Sequence, residues 1–510
     1  MRVLIAQPEF RVGRLEENYQ LILREIEHAR EEKCDLLMVS GVGLYNLSSY
    51  PELIRDTLSV YNRQQELIES LGQHAKGLHM ILLSYQDITR TLSFMEFHKD
   101  RWILHEPDAL SNFMSGGLSD FERNSMVEML ETKHGRTRFV VGATHANFSF
   151  EMLDEQSIVF VDTAQRHSCV TFRLSSGGVE GANVKLGHSG YFTPGGKSYE
   201  LGVGQGRVIY DSKQPDEALQ PCQPFMLAHE LTAPLLYETL VEGLRAFFRA
   251  QGMQKATLGL SGGIDSAVVA VVAAEALGPE NVLAVLLPSR YTSPESLRDA
   301  QQLATKLGIQ QTTIPITPLT EAFEQSLQPL FGDLPPDTAE ENLQARTRGV
   351  LLMAVSNKLG YTLLNTSNKS EIYVGYSTMY GDACGAISVL GDVLKTAVYA
   401  LARHINREEE IIPQYIIDRP PSAELREGQT DQDSLPPYEV LDEFLQQLLQ
   451  FQSPLPEIRE SGTFDPRDID RMVALIRGSR HKRAQFPPIL GVNEPVYPFT
   501  ESLDGIWPAE

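Results

Sequence analysis

Ser261-Gly262-Gly263-Ile264-Asp265-Ser266 decides the reading of this chain. The hexapeptide follows Ala256–Leu260 (ATLGL), an apolar run that predicts a buried strand, and precedes Ala267–Leu277 (AVVAVVAAEAL), which predicts a buried helix. A strand, a glycine-rich turn and a helix N-terminus make an anion site, because unpaired backbone N–H groups and the positive end of the helix dipole meet at one spot. Two glycines let the backbone approach a phosphate closely and take dihedrals that other residues resist. Ser261 and Ser266 add hydroxyl donors. Asp265 is the odd member, since a carboxylate repels phosphate unless a divalent cation lies between them.

Outward from this loop, the downstream chain alternates strands with long helices. Asn281–Leu287, Gln311–Pro315 and Tyr361–Thr366 predict strands, and Leu231–Gly252, Pro294–Leu307 and a segment through Arg346–Leu359 predict helices. That spacing implies parallel strands with crossover helices, and ligands then bind beyond the strands' carboxyl ends. Polar clusters fall there: Pro288–Ser293 (PSRYTS) and Asn365–Glu371 (NTSNKSE), with Asp382 and Lys395 downstream. Pro420–Pro437 reads as a mobile loop, and the proline-rich tail after Pro487 as a surface wrap.

Upstream, Arg2–Gln7, Asp35–Ser40, Leu78–Tyr85, Arg138–Asn147, Ser157–Asp162, Cys169–Leu174 and Arg207–Asp211 read as strands, and Glu16–Glu32 as an amphipathic helix with Tyr19, Ile22, Leu23 and Ile26 on one face. Ser212–Pro224 looks like a linker. At 510 residues the chain holds two domains or three. Its net charge of −23 disfavours nucleic acid as a partner. No apolar run reaches the roughly 18 residues that span a bilayer. The N-terminus has no signal-peptide pattern, so the expected compartment is the cytoplasm. Cys34, Cys169, Cys222 and Cys384 lack metal-ligand spacing and read as free thiols.

The loop is not the common P-loop, whose GxxxxGK[ST] pattern needs a Lys before the hydroxyl residue. SGGxDS at a strand–helix junction resembles the ATP pyrophosphatases, which split ATP into AMP and pyrophosphate to adenylate a substrate. Later motifs narrow the resemblance. Glu341–Arg346 with Arg348-Gly349, Asn365–Asp382 (NTSNKSEIYVGYSTMYGD), Pro421–Asp431 (PSAELREGQTD) and His481-Lys482-Arg483 are similar to NAD synthetases of the long, glutamine-dependent type.

That resemblance implies ATP and Mg²⁺, with deamido-NAD and ammonia as the other substrates. It implies Asp265 and Glu371 on the metal. It places Ser261, Gly262, Gly263, Asp265, Ser266, Arg290, Thr366, Lys395 and Ser422 on ATP, and Asn342, Arg346, Glu371 and Lys482 on deamido-NAD. Asp265, Glu371, Asp382 and Lys395 are the catalytic candidates. For Asp382 two roles stand open: handling the ammonium proton, or ordering its loop. Lys482 can equally be a solvated basic residue.

In the long synthetases a nitrilase-like domain hydrolyses glutamine with a Cys nucleophile, a Glu base and a supporting Lys. The opening RVLIAQPEFRVGRLEENYQLI and CDLLMVSGVGLYNLSSYPELI resemble that scaffold. The three functional positions depart from it. Val39-Ser40-Gly41 puts Gly where Glu belongs. Leu104–Ala109 holds no Lys, and Val141–Ala146, ending His145-Ala146, holds no Cys. Glu52 and His145 are the conceivable substitutes and read as structural residues.

The expectation is an α/β chain. Residues 1–215 form a degenerate nitrilase-like α-β-β-α sandwich, 216–228 a linker, 229–490 an ATP-pyrophosphatase parallel-sheet domain and 491–510 a tail. It is an ammonia-using NAD synthetase, at least a dimer through the synthetase domain, with ammonia free or supplied by a separate protein. The rival readings are a glutamine-dependent synthetase with an unrecognised site, another amide-forming or thiolating ATP pyrophosphatase, and a non-catalytic nucleotide-binding pseudo-enzyme.

Overall fold

Six strands build the first sheet: β1 (Arg2–Gln7), β2 (Leu36–Val42), β3 (His79–Tyr85), β4 (Leu92–His98), β5 (Arg101–His105) and, antiparallel to β1, a late strand at Gly206–Asp211. The computed structural model describes residues 1–11, 14–42, 57–85, 92–99, 101–105, 125–132, 135–144, 150–185, 187–214, 232–451 and 453–492. The chain divides into two units, Met1–Thr232 and Ala233–Glu510. No helix of the described residues is long and apolar enough to cross a membrane.

The first unit packs that sheet against a second one. The second sheet contains β6 (Ser125–Thr132), β7 (Gly135–Thr144), β8 (Val170–Ser175), β9 (Gly190–Phe192) and β10 (Ser198–Glu200). The Gly206–Asp211 strand is β11. Strand periodicity sorts the side chains to two faces. Val3, Ile5, Leu36, Met38 and Ile81 face Phe139, Val141, Phe172 and Tyr191 in the core between the sheets. Leu4, Ala6, Leu37, Val39, Met80 and Leu82 face helices α1 (Leu15–Glu31) and α2 (Thr57–His74) on the outside. Helix α3 (Phe150–His167) covers the second sheet, with Phe160 and Ala164 against Phe192. The unit is therefore an α-β-β-α sandwich.

One element differs from the sequence reading. Ser157–Asp162 is not a strand but the middle of α3. The buried positions Leu153, Ser157, Phe160 and Ala164 recur every three to four residues, the helical period. The run of β-branched and aromatic residues Ile158-Val159-Phe160-Val161 masks that period when read alone. Arg138–Asn147 becomes β7, ending at Thr144. His145 and Ala146 lie outside the described residues, as do Glu52, Cys222 and the stretch 106–124.

The second unit is built on a five-stranded sheet with every pairing parallel: β12 (Ala256–Gly259), β13 (Val282–Leu286), β14 (Gln310–Thr313), β15 (Thr362–Asn365) and β16 (Ile387–Ser388), in the order β14-β13-β12-β15-β16. The interior strand β13 is buried along its whole length, as a strand covered by helices on both faces requires. Helix α4 (Thr232–Gln251) leads in, and α5 (Ile264–Leu277) is buried at nearly every position. Helix α6 (Pro294–Leu307) starts on Ser293, which accepts the Ser296 N–H, and stops at left-handed Gly308. Helices α7 (Thr317–Phe331), α8 (Thr338–Leu359), α9 (Lys369–Val374) and α10 (Lys395–Ile405) follow.

Two further sequence readings change. The chain after Pro487 does not begin as a surface wrap: the Ser388 N–H donates to Pro488 O and the Leu490 N–H to Ser388 O. Ile489, Leu490 and Val492 are buried there, and residues 493–510 lie outside the described residues. Pro420–Pro437 is pinned rather than loose: Ser422 Oγ donates to Gln429 O at 2.6 Å, and buried Asp431 accepts the Tyr438 hydroxyl.

Candidate active site

The hexapeptide turn folds as its residues require. Gly262 has φ +80°, and a Cβ there would lie 2.3 Å from the backbone oxygen of Ser296, so only glycine fits. Gly263 is the N-cap of α5. The Ser266 hydroxyl donates to Gly263 O at 3.0 Å and lies 3.1 Å from the Ser261 hydroxyl, which accepts the Gly263 N–H at 3.1 Å. Asp265 stands in the first turn of α5.

Opposite this turn, α9 and α10 bring two more groups. Asn368 caps α9 with a reciprocal pair, accepting the Glu371 N–H while the Glu371 side chain accepts the Asn368 N–H. That box orients Glu371 and leaves the Asn368 amide to donate to Asp265 Oδ1 at 2.8 Å. The backbone N–H of Lys395, at the start of α10, donates to the Ser370 hydroxyl. Its side chain is buried, and its Nζ donates to Asp265 Oδ2 at 2.6 Å and to Glu371 Oε1 at 3.2 Å. The same ammonium lies 5.2 Å from the centre of the Tyr438 ring. Residues 103, 24 and 130 positions apart in sequence thus converge on one charged cluster.

Burial alone would lower the Lys395 pKa; Asp265 and Glu371 outweigh it and hold the ammonium above its ordinary value. Burial pushes the Glu371 carboxyl up, Lys395 offsets part of that, and Asp265 adds repulsion. Burial also raises Asp431, which faces the same ammonium. One cation therefore serves three carboxylates, and the cluster is short of positive charge. Hard carboxylate oxygens with unmet charge, beside a phosphate-binding turn, fit Mg²⁺. Asp265 and Glu371 are the residues that would hold it.

The cluster forms part of a cavity of about 270 Å³ at the carboxyl ends of β12, β13 and β15. Ser261, Gly263, Asp265, Ser266, Thr366, Glu371, Asp382, Lys395 and Ser422 all line it. Arg290 does not: it pairs with Glu324 at the surface. Asn342, Arg346 and Lys482 also stand outside the lining, and all three bind one loop. Thr378 Oγ1 donates to Asn342, Arg346 Nε to Met379 O at 3.3 Å, and Lys482 Nζ to Gly375 O and Ser377 O at 2.8 and 2.7 Å. That loop presents Asp382, which accepts the Thr378 N–H at 2.6 Å. Surrounding protein pushes Asp382 up to about 6. Its side chain is nonetheless exposed to the open cavity, so solvent there moderates the push.

Sequence reasoning left Arg348, Arg419, Tyr376, Glu424 and Asp431 unassigned, and all line the cavity. Arg348 donates to Leu287 O, and burial brings its pKa down to about 10. Arg419 pairs with Glu424 at 3.2 Å. The signal was present in the motifs Arg348-Gly349 and Pro421–Asp431, but which of their side chains turn inward depends on the fold. Cys384 borders the cavity as a thiol that burial and then Asp382 push up to about 11, so it is not an activated nucleophile.

Residues 236–486 match the NAD synthase family. The second unit is an NAD synthase domain. A glutamine-dependent NAD(+) synthetase of Synechocystis sp. is 49% identical over 259 residues, 51% of this chain and 46% of that protein. One from Thermotoga maritima is 50% identical over 252 residues, 49% of this chain and 44% of that protein. The matches thus span about half the length of these curated relatives. Fold likeness extends further than this sequence likeness. The glutamine-dependent NAD+ synthetase of Acinetobacter baumannii, solved with adenosine diphosphate, superposes with a TM-score of 0.68 at 24% identity, covering 98% of this chain and 97% of that one. The enzyme of Cytophaga hutchinsonii gives 0.74 at 15% identity, covering 99% and 98%. The NAD synthase domain therefore follows a sandwich unit whose fold is also that of the long synthetases.

Proposed function

We propose that this chain makes NAD from deamido-NAD, ATP and ammonia, through an adenylated intermediate with release of pyrophosphate and AMP. The observation that carries this reading is the Asp265–Lys395–Glu371 cluster at the Ser261–Ser266 turn, inside the NAD synthase match. Free N–H groups at the start of α5, the Ser261 and Ser266 hydroxyls and Thr366 bind phosphate oxygens. Lys395 offsets charge as pyrophosphate leaves. Mg²⁺, when bound by Asp265 and Glu371, screens the triphosphate from these carboxylates and supplies Lewis-acid polarisation. Asn342, Arg346 and Lys482 act by holding the loop that carries Asp382, with Lys482 also available to deamido-NAD at the loop's edge. Asp382, with its raised pKa and open face, is suited to hold ammonium and accept its proton when the adenylate is attacked.

The ammonia preference rests on the first unit. Strand β2 carries Gly41 at the expected Glu position. Cys34 precedes that strand, and burial pushes its thiol up to about 11, opposite to what a nucleophile needs. The second reading is a glutamine-dependent synthetase, favoured by the names of the sequence relatives. Self-association through α7, α8 and their connection is part of the proposal, because Phe323, Leu330, Leu334, Val350, Met353 and Leu359 are exposed there. The test is purified protein with ATP, Mg²⁺ and deamido-NAD, given ammonium or glutamine. Failure to form NAD with either donor would refute the reaction assigned here, and light scattering of the same sample reads the oligomer.

A further inference from the structure

The first unit holds a side-chain cluster that the synthesis of NAD does not use. His79 opens β3, and Glu96 and His98 close β4. The antiparallel register places Ile81 opposite Glu96, which brings His79 opposite His98. All three therefore point to the same side of the sheet as Leu36, Met38 and Ile81, the side that packs on the second sheet. His79 and Glu96 are buried, and His98 is half-buried.

The three side chains are close enough together to share one ion. His79 Nε2 lies 2.6 Å from Glu96 Oε1, and the two imidazole rings are 4.6 Å apart. One donor atom from each residue falls within 4.8 Å of the others, and among the described residues no other such trio occurs. Donors on tetrahedral zinc sit about 3.3 Å apart, given Zn–N and Zn–O bonds near 2.0–2.1 Å. Small rotamer shifts reach that from here. Both ring nitrogens of His79 are buried: Nε2 is in ion-pair contact with Glu96 Oε1, and Nδ1 has no hydrogen-bond partner. A buried ring nitrogen with no hydrogen-bond partner carries a desolvation cost that a bond to metal would remove.

We propose that His79, Glu96 and His98 form a binding site for a divalent transition-metal ion of the zinc class. Two imidazoles and one carboxylate select zinc, copper or nickel over magnesium, which prefers an all-oxygen shell. Three protein donors leave a fourth position for water or an anion on the half-exposed His98 side, where Lys99 and Arg101 lie close. The site is separate from the glutaminase position of the resemblance. His79 pairs in register beside Leu36, at the start of β2, whereas Gly41 is five residues on, roughly 16 Å along the sheet. Its role follows from its strands: a bound ion would tie β3 to β4 on the face opposite the one that packs on α2.

The test uses the full-length chain without a histidine tag, stripped with chelator and dialysed against zinc sulfate. Expected results are one zinc per chain by elemental analysis and a higher melting temperature. Cobalt(II) should give the visible d–d bands of a tetrahedral site. Glu96→Gln and, because His98 is half-exposed and its loss is better tolerated, His98→Gln should each weaken zinc at least tenfold and abolish the cobalt bands. Zinc bound equally by both folded variants, or no zinc and no cobalt bands in the unaltered chain, overturns the proposal. The cobalt spectrum of the unaltered chain decides the matter even if a variant fails to fold.

Discussion

The two units differ in what their buried polar residues do. In the second, Asp265, Glu371, Asn368 and Lys395 meet at a cavity, and each is held by a hydrogen bond that a purely structural core would not need. In the first, the largest buried polar residue is Arg173, enclosed by the Phe160 and Phe192 rings and bound to Glu200, Ser157 and His188 O. Those contacts close on themselves and present nothing to a ligand. The packing alphabet of a fold, alternating apolar residues on two faces, is independent of the residues that do chemistry on it.

The comparison breaks if the charged cluster is ornamental. Asp265→Asn should lower AMP release by roughly a thousandfold or more while leaving the fold intact, since it removes the charge beside the phosphate turn. Near-normal AMP release by the folded variant would contradict its role. Lys395→Met should be comparably inactive and also less stable, by about 3–5 kcal/mol, because it leaves buried carboxylates without their cation. Chemical denaturation reads the second effect.

Gly262→Ala sharpens the geometric half of the argument. The new methyl would meet Ser296 O and sit at positive φ, so a loss of a few kcal/mol (about 2–4) is expected, with ATP binding lost before deamido-NAD binding. Equal ATP affinity by calorimetry would mean that the turn does not hold phosphate. Lys482→Ala comes next. It removes two hydrogen bonds to loop carbonyls, at about 1.5–3 kcal/mol for a charged donor, and should raise the KM for deamido-NAD roughly tenfold or more with the ATP KM little changed. An unchanged deamido-NAD titration would return Lys482 to a purely surface role.

The smallest effect is a pH dependence. Asp382 is raised in the folded chain from 3.8 to about 6, so the native state binds a proton that the unfolded chain has released across that window. Its contribution is most favourable below pH 4, declines as pH rises towards 6, and is constant above. Asp382→Asn should therefore gain stability relative to the unaltered chain on going from pH 4 to pH 7. Discounted for the open cavity, the gain is about 1 kcal/mol or less. A urea midpoint difference that is flat across pH would place Asp382 in water.

Much of the second unit was legible in the chain because its chemistry is local. Ser261–Ser266 states its turn and the start of its helix in six residues. Pro294–Leu307 carries its own Ser cap, proline and terminal glycine, and the helix spans those residues. What was not legible depends on tertiary direction. Arg290 sits at a strand's carboxyl end, yet its side chain leaves for Glu324. Asn342 and Arg346 lie far from Lys482 in sequence, and all three reach the site only through the loop they share. In the first unit the short run Ile158–Val161 has strand composition on a helical period, and only packing against Phe192 decides between them. His79, Glu96 and His98 are unremarkable singly and meet only through strand register.

The nitrogen donor separates a synthetase that takes up ammonia from one that hydrolyses glutamine. Full-length protein, freed of contaminating glutaminase, should form NAD from deamido-NAD and ATP when given ammonium. With glutamine it should form none and release no glutamate. Glutamate appearing in step with NAD would contradict the reading of the first unit as a retained scaffold without its glutaminase.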